Sequence, residues 1–166
     1  MQTPPLKTCI IELTQNCENN CTYCFVRSNH KQINELTFDN AKKIIQTMVS
    51  SGYNHIHFTG GDIFLWQDLN KLLYIIKDLP IKISCNLNSE SIKSKQIQFL
   101  KEEIDNIEVS CTLNGFQESH DYLRGNGSFM KAIKGINEID YYQIPFSLFY
   151  VANVMNMQNV VMYAKD

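Results

Sequence analysis

Cys17, Cys21 and Cys24 stand at C-x3-C-x2-C spacing, directly after the apolar run Leu6–Leu13, and are half of the chain's six cysteines. Clustered thiols of this kind bind metal or do redox chemistry. Three thiolates are an incomplete set for an iron–sulfur cluster, which normally takes four cysteines. A cluster held by three leaves one iron open to an outside ligand, much as catalytic zinc sites keep a position free. The competing use is a closed Cys3His zinc site completed by His30, six residues after Cys24. A disulfide is the least expected use. The opening Met1-Gln2-Thr3-Pro4-Pro5 has no basic segment followed by an apolar one, so a reducing, cytoplasmic setting is expected.

The elements that must position these thiols follow from periodicity. Leu6–Leu13 is β-branched and predicts a first strand, with Cys9 as a core thiol. Thr37 or Asp39 caps a helix whose Ile44, Ile45, Met48 and Val49 share a face, and Gly52 suits its left-handed end. His55-Ile56-His57-Phe58 alternates as a second strand, placing both histidines on one face, and leads into Gly60-Gly61-Asp62. A helix is expected over Trp66–Lys77, a third strand over Ile81–Leu87 and a helix over Ser91–Glu103. A fourth strand over Ile107–Leu113 precedes a polar loop, Asn114–Gly127. A helix from Ser128, with Phe129, Ala132, Ile133 and Ile136 inward, then a strand over Ile144–Val151 and a last helix from about Asn156 complete the pattern. Cys85 and Cys111 lie mid-strand and read as core.

Strands alternating with helices predict an α/β fold with parallel strands, and about five β-α units are present. In such sheets ligands sit at the carboxyl ends of the strands. The cysteine loop, the Gly-Gly-Asp turn and the polar loop all fall on that rim, which favours a ligand-binding cluster over a closed zinc site. Paired glycines at a strand end let backbone approach closely, although most such pairs are only turns.

Composition sets the outer bounds. The chain has 166 residues, 44% of them hydrophobic, with a net charge of −2. One domain, residues 1–166, is expected. No apolar run approaches the roughly 20 residues of a membrane span, and no basic block suggests a nucleic-acid partner.

C-x3-C-x-aromatic-C after a first strand resembles the signature of the radical S-adenosylmethionine (radical SAM) superfamily. That resemblance implies a partial (β/α)6 TIM-like barrel in which Cys17, Cys21 and Cys24 bind a 4Fe–4S cluster, with Tyr23 near the adenine. S-adenosylmethionine chelates the open iron in that family, and an electron from the cluster cleaves it to a 5′-deoxyadenosyl radical. The family's Gly-Gly-Glu motif, which bonds the methionine amino group, corresponds to Gly60, Gly61 and Asp62, with an acid one methylene shorter. Its Thr-Asn-Gly after the third strand is matched at Asn88 alone.

Ser110-Cys111-Thr112-Leu113-Asn114-Gly115, His120-Asp121-Tyr122-Leu123-Arg124-Gly125 and Gly127-Ser128-Phe129 resemble the peptide- and protein-modifying branch. By that match Ser110 contacts the ribose and Arg124 the carboxylate of the cofactor. The resemblance implies a peptide or protein substrate and a flavodoxin or ferredoxin-type electron donor, and assigns no catalytic residue. An activase that makes a glycyl radical and a non-catalytic zinc or iron–sulfur module are the rival readings. A sixth β-α unit and any cysteine after Cys111 are missing, so a truncated product, a split enzyme and a designed fragment are all compatible with the sequence.

Overall fold

The structure is a computed structural model, and residues 5–25 and 35–163 are described below. Five strands, β1 (Thr8–Glu12), β2 (His55–Thr59), β3 (Lys82–Leu87), β4 (Ile107–Thr112) and β5 (Phe146–Phe149), form one sheet in sequential order. Every neighbouring pair is parallel. The helices between them are α1 (Phe38–Ser50), α2 (Leu69–Ile76), α3 (Ser94–Glu103), α4 (Gln117–Arg124) and α5 (Ser128–Tyr141); α6 (Val160–Tyr163) follows β5. A parallel sheet wound in chain order is the architecture expected of a partial barrel.

One face of the sheet is apolar. Ile11, Ile56, Phe58, Ile83, Cys85, Val109 and Cys111 are buried there against Ala41, Ile45, Leu72, Leu73, Ile97, Leu100 and Ile139 of the helices. The alternate strand positions carry Ile10, His55, His57, Ser84, Asn86, Ser110 and Ser147, so the other face is mostly polar. On it the imidazoles of His55 and His57 both bond the Ser84 hydroxyl at 2.7 Å. These histidines are therefore a strand-face pair held by a serine. Cys85 and Cys111 are core thiols, and burial pushes Cys111 up to about 12.

Several local expectations hold in detail. Thr37 caps α1 through a bond from the Asn40 N–H, and Gly52 takes φ +84°. Others need correction. The polar loop after β4 contains helix α4, with Ser119, His120 and Leu123 turned inward. Its hydrophilic sequence hid the period, and the flanking Gly115 and Gly125, both at positive φ, read as loop. Trp66 does not open α2. Ile63–Leu65 forms a short 3-10 turn, and the buried Trp66 indole instead donates to the Leu36 carbonyl at 2.9 Å. α3 starts at Ser94 rather than Ser91, because Ser91 closes a turn on the Asn88 carbonyl. Asp121 of α4 accepts from the Gly127 and Phe129 N–H groups and the Ser128 hydroxyl, and so caps α5.

Candidate active site

The carboxyl ends of the strands enclose a cavity of about 340 Å³ lined by residues that include Cys17, Cys21, Cys24, Tyr23, Gly60, Gly61, Asn88 and Arg124. Backbone pairing brings the cysteine loop there. Past β1, Leu13 bonds Thr59 at 3.0 Å, Gly61 bonds the Thr14 carbonyl at 2.8 Å, and Asp62 bonds the Asn16 carbonyl at 2.7 Å. The two glycines make this approach possible. A Cβ on Gly60 would lie 2.3 Å from the Thr14 oxygen, and one on Gly61 2.3 Å from the Asn16 oxygen. On the other side of the loop, Thr22 N–H bonds the Leu123 carbonyl of α4 at 2.9 Å.

Behind the cavity wall lies a buried polar cluster. Arg124 donates from Nε to Glu90, from Nη1 to the Tyr23 hydroxyl at 2.9 Å and from Nη2 to Asn88 Oδ1 at 2.9 Å. Asn114 donates to the same Tyr23 oxygen at 2.7 Å. The side chains of Arg124 and Glu90 are 8% and 7% exposed. Glu90 also accepts from Asn19, between Cys17 and Cys21, at 2.6 Å. Burial raises the Glu90 carboxyl, but His120, Arg124 and Asn19 outweigh it and hold the group below the ordinary carboxylate range. Burial acts against the charge of Arg124 too, and Cys21, Tyr23 and Glu90 more than restore it.

The donor set suits a cluster. All six cysteines are thiols, and the three of the loop are half-buried around one cavity. Burial raises Cys17 and Cys21, so ligation would release protons. Among the described residues no three His, Cys, Asp or Glu side chains converge as a ready set for a single ion. A cubane takes each thiolate on a different iron and does not require that convergence. His30, the fourth ligand of the zinc alternative, lies outside the described residues.

Residues 11–165 match the family model described as "Radical SAM superfamily". The chain belongs to the radical SAM superfamily. Members of this superfamily are enzymes whose cofactors are a 4Fe–4S cluster and S-adenosylmethionine. Among curated relatives, the sporulation killing factor maturation protein SkfB of Bacillus subtilis is 23% identical, over 92% of this chain and 37% of its own length. The Fe-coproporphyrin III synthase of Methanosarcina barkeri is 25% identical, over 89% of this chain and 37% of its own length. The solved structure of anSMEcpe with bound AdoMet superposes with a TM-score of 0.80 at 24% identity, covering 98% of this chain and 46% of that one. It shares the radical SAM fold, and the same protein has been solved with AdoMet and a peptide. The chain thus spans well under two thirds of the length of these relatives.

The radical SAM motifs converge unequally. Cys17, Cys21, Cys24, Tyr23, Gly60, Gly61, Asn88 and Arg124 all line the cavity. Asp62 and Ser110 are not lining residues. Asp62 is 0% exposed and turned into the protein, where its carboxylate accepts from the Phe64 N–H and the Ser91 hydroxyl. Burial raises its pKa. Ser110 lies in β4 in register with the lining residue Asn86, its hydroxyl 3.2 Å from that of Ser147. Sequence reasoning missed Glu90, Asn19, Asn114 and His120. The one available signal was that Asn114 and His120 fall inside the motif stretches of the β4 region.

Proposed function

We propose that this chain is the cofactor-binding core of a radical SAM enzyme that modifies a peptide or protein. The observation that carries the reading is the single cavity into which the cysteine loop, the Gly60-Gly61 turn and Arg124 all face. Cys17, Cys21 and Cys24 would hold the 4Fe–4S cluster, and Arg124, already fixed by Tyr23, Asn88 and Glu90, would bind the carboxylate of S-adenosylmethionine. When bound, the pair supplies reductive cleavage of the sulfonium and the hydrogen abstraction typical of the family.

The protein's own residues do the rest. Gly60 and Gly61 set the cysteine loop against the end of β2. Asp62 supports that turn from beneath by capping the 3-10 segment. Asn88 and Tyr23 line the cavity beside the Arg124 guanidinium that bonds both, and Ser110 of β4 would serve a ribose hydroxyl. The mixed lining, with Leu87, Phe149 and Val151 beside these polar groups, would limit water around the reacting atoms.

Peptide chemistry is supported by the maturation protein SkfB among the relatives and by the likeness of the His120–Arg124 stretch to that branch. A flavodoxin or ferredoxin-type donor and a reducing, cytoplasmic setting go with this reading. The test is anaerobic incubation of the cluster-loaded chain with S-adenosylmethionine and a chemical reductant. Release of 5′-deoxyadenosine, increased by a peptide and unchanged by an iron porphyrin, is expected. A fully loaded cluster with no cleavage would refute catalysis by this chain, and stimulation by the porphyrin alone would move the substrate to tetrapyrroles.

A further inference from the structure

Glu90 stands out because no motif predicts it, yet it is the most connected acid of the site. Its Oε1 receives the Arg124 Nε–H, and its Oε2 receives the Asn19 amide at 2.6 Å. A third group points at it. His120 is 0% exposed, and its Nδ1 accepts the Asn114 backbone N–H at 3.1 Å, which leaves the proton of a neutral ring on Nε2. That Nε2 lies 3.5 Å from Glu90 Oε1 and has no hydrogen-bond partner. One carboxylate therefore faces a residue of the cysteine loop, a guanidinium that lines the cavity, and a buried imidazole anchored to the end of β4.

The backbone around Glu90 is built to hold it there. Gly135 of α5 packs so closely that a Cβ would fall 1.9 Å from the Ser89 carbonyl oxygen. Ser91 bonds back to the Asn88 carbonyl from its N–H. Three of the five Arg124 N–H groups are thereby committed to protein acceptors, which fixes the guanidinium plane and leaves two hydrogens on the Nη atoms.

We infer that Glu90 is the positioning residue of this site, setting the cysteine loop through Asn19 and the plane of Arg124 at the same time. This rests on the cofactor reading above. The loop carrying the three proposed cluster ligands and the group proposed to bind the cofactor carboxylate then share one buried anchor. Losing the anchor loosens both.

The experiment compares wild type with Glu90→Gln, Asn19→Ala and Ile92→Ala, each reconstituted anaerobically as the full chain. Ile92, two residues beyond Glu90, packs its apolar side chain against the core and has no polar group with which to join the hydrogen-bond cluster, so its variant controls for simple loss of stability. Three quantities are read: iron and sulfide per chain, the rate of iron release to a chelator, and affinity for S-adenosylmethionine from the change it causes in the cluster spectrum. Glu90→Gln is expected to release iron about tenfold faster and to bind the cofactor about tenfold more weakly, with an altered spectrum at saturation. Asn19→Ala, which cuts the loop arm and the Asn88 Nδ2–Asn19 Oδ1 bond of 3.2 Å but leaves the Glu90–Arg124 bond, should speed iron release and leave the affinity within about threefold. Ile92→Ala should lower the melting temperature and leave affinity and spectrum as in wild type.

Glu90→Gln matching Ile92→Ala in all three readouts would overturn the inference, as would tighter cofactor binding, which would mean that Glu90 competes for Arg124. Should Glu90→Gln fail to fold, Asn19→Ala decides alone, and unchanged iron release would overturn the loop half. If wild type itself takes up no iron and sulfide, the cofactor reading fails and the inference with it.

Discussion

Two buried acids sit at neighbouring strand ends and live in opposite electrostatic conditions. Asp62, after β2, has uncharged partners, the Phe64 N–H, the Ser91 hydroxyl and the Asn88 side chain, and burial raises its pKa. Glu90, after β3, is nearly as enclosed, its side chain 7% exposed, but a guanidinium, an amide and an imidazole surround it and the net shift is downward. The lesson is that burial alone does not determine whether a carboxylate is charged; its partners do. The acid that the cofactor motif highlights serves as a turn cap. The one that no motif highlights carries the charge balance of the site.

Breaking the Glu90 side should have the largest effect. Glu90→Ala leaves the Arg124 cation buried without its counter-charge, and a loss of about 3–5 kcal/mol is expected in urea unfolding of the metal-free chain. A loss below about 1 kcal/mol would mean that Arg124 relaxes to solvent and that the two acids are alike after all.

Gly135→Ala acts on the same region from outside the cavity. Its methyl would meet the Ser89 carbonyl oxygen at 1.9 Å, pushing the segment that carries Asn88 and Glu90. Overpacking of this kind costs about 1–3 kcal/mol, read as a shifted urea midpoint. An unchanged midpoint would show that this loop is not fixed by α5.

Asp62→Asn should be mild, about 1 kcal/mol or less, because the amide oxygen still accepts from Phe64 and the Ser91 hydroxyl can turn to accept from the new amine. A loss as large as that of Glu90→Ala would show that Asp62 is charged and paired.

The subtlest contrast is in pH. Glu90 has a lowered folded pKa, so its stabilisation is complete above the unfolded carboxyl value of about 4.3 and fades as pH falls through the folded value. The penalty of Glu90→Gln should therefore shrink on acidification. Asp62 has a raised folded pKa, so its protonated form stabilises below about 3.9, and that contribution is lost as pH rises through the folded value. The penalty of Asp62→Asn should shrink as pH rises. Denaturant unfolding in steps between about pH 3.5 and 7 reads both slopes, and slopes of one sign would contradict the difference between the two sites.

The fold was legible because its strands alternate and its helices separate them at regular intervals. Ile56 and Phe58 against His55 and His57 already declare one apolar and one polar face. The cysteine spacing, the Gly-Gly turn and the Arg124 motif were legible because each is local in sequence. Helix α4 was not, since Gln117–Arg124 is almost wholly polar and buries only a narrow strip. Nor was the Glu90 cluster, whose bonds join residues 71 and 34 positions apart. Such contacts leave no periodic trace, and only the folded sheet brings them together. Asp62 shows the complementary limit: a motif gives the residue type at a position but not the direction in which its side chain turns.

The most direct measurement is iron, sulfide and zinc analysis of the anaerobically purified chain, with an absorption spectrum before and after S-adenosylmethionine. The expected result is about four iron and four sulfide per chain, a spectrum perturbed by the cofactor, and loss of the cluster when Cys17, Cys21 or Cys24 is changed to Ala. Stoichiometric zinc without sulfide would contradict the account and make the cysteine loop a closed metal site.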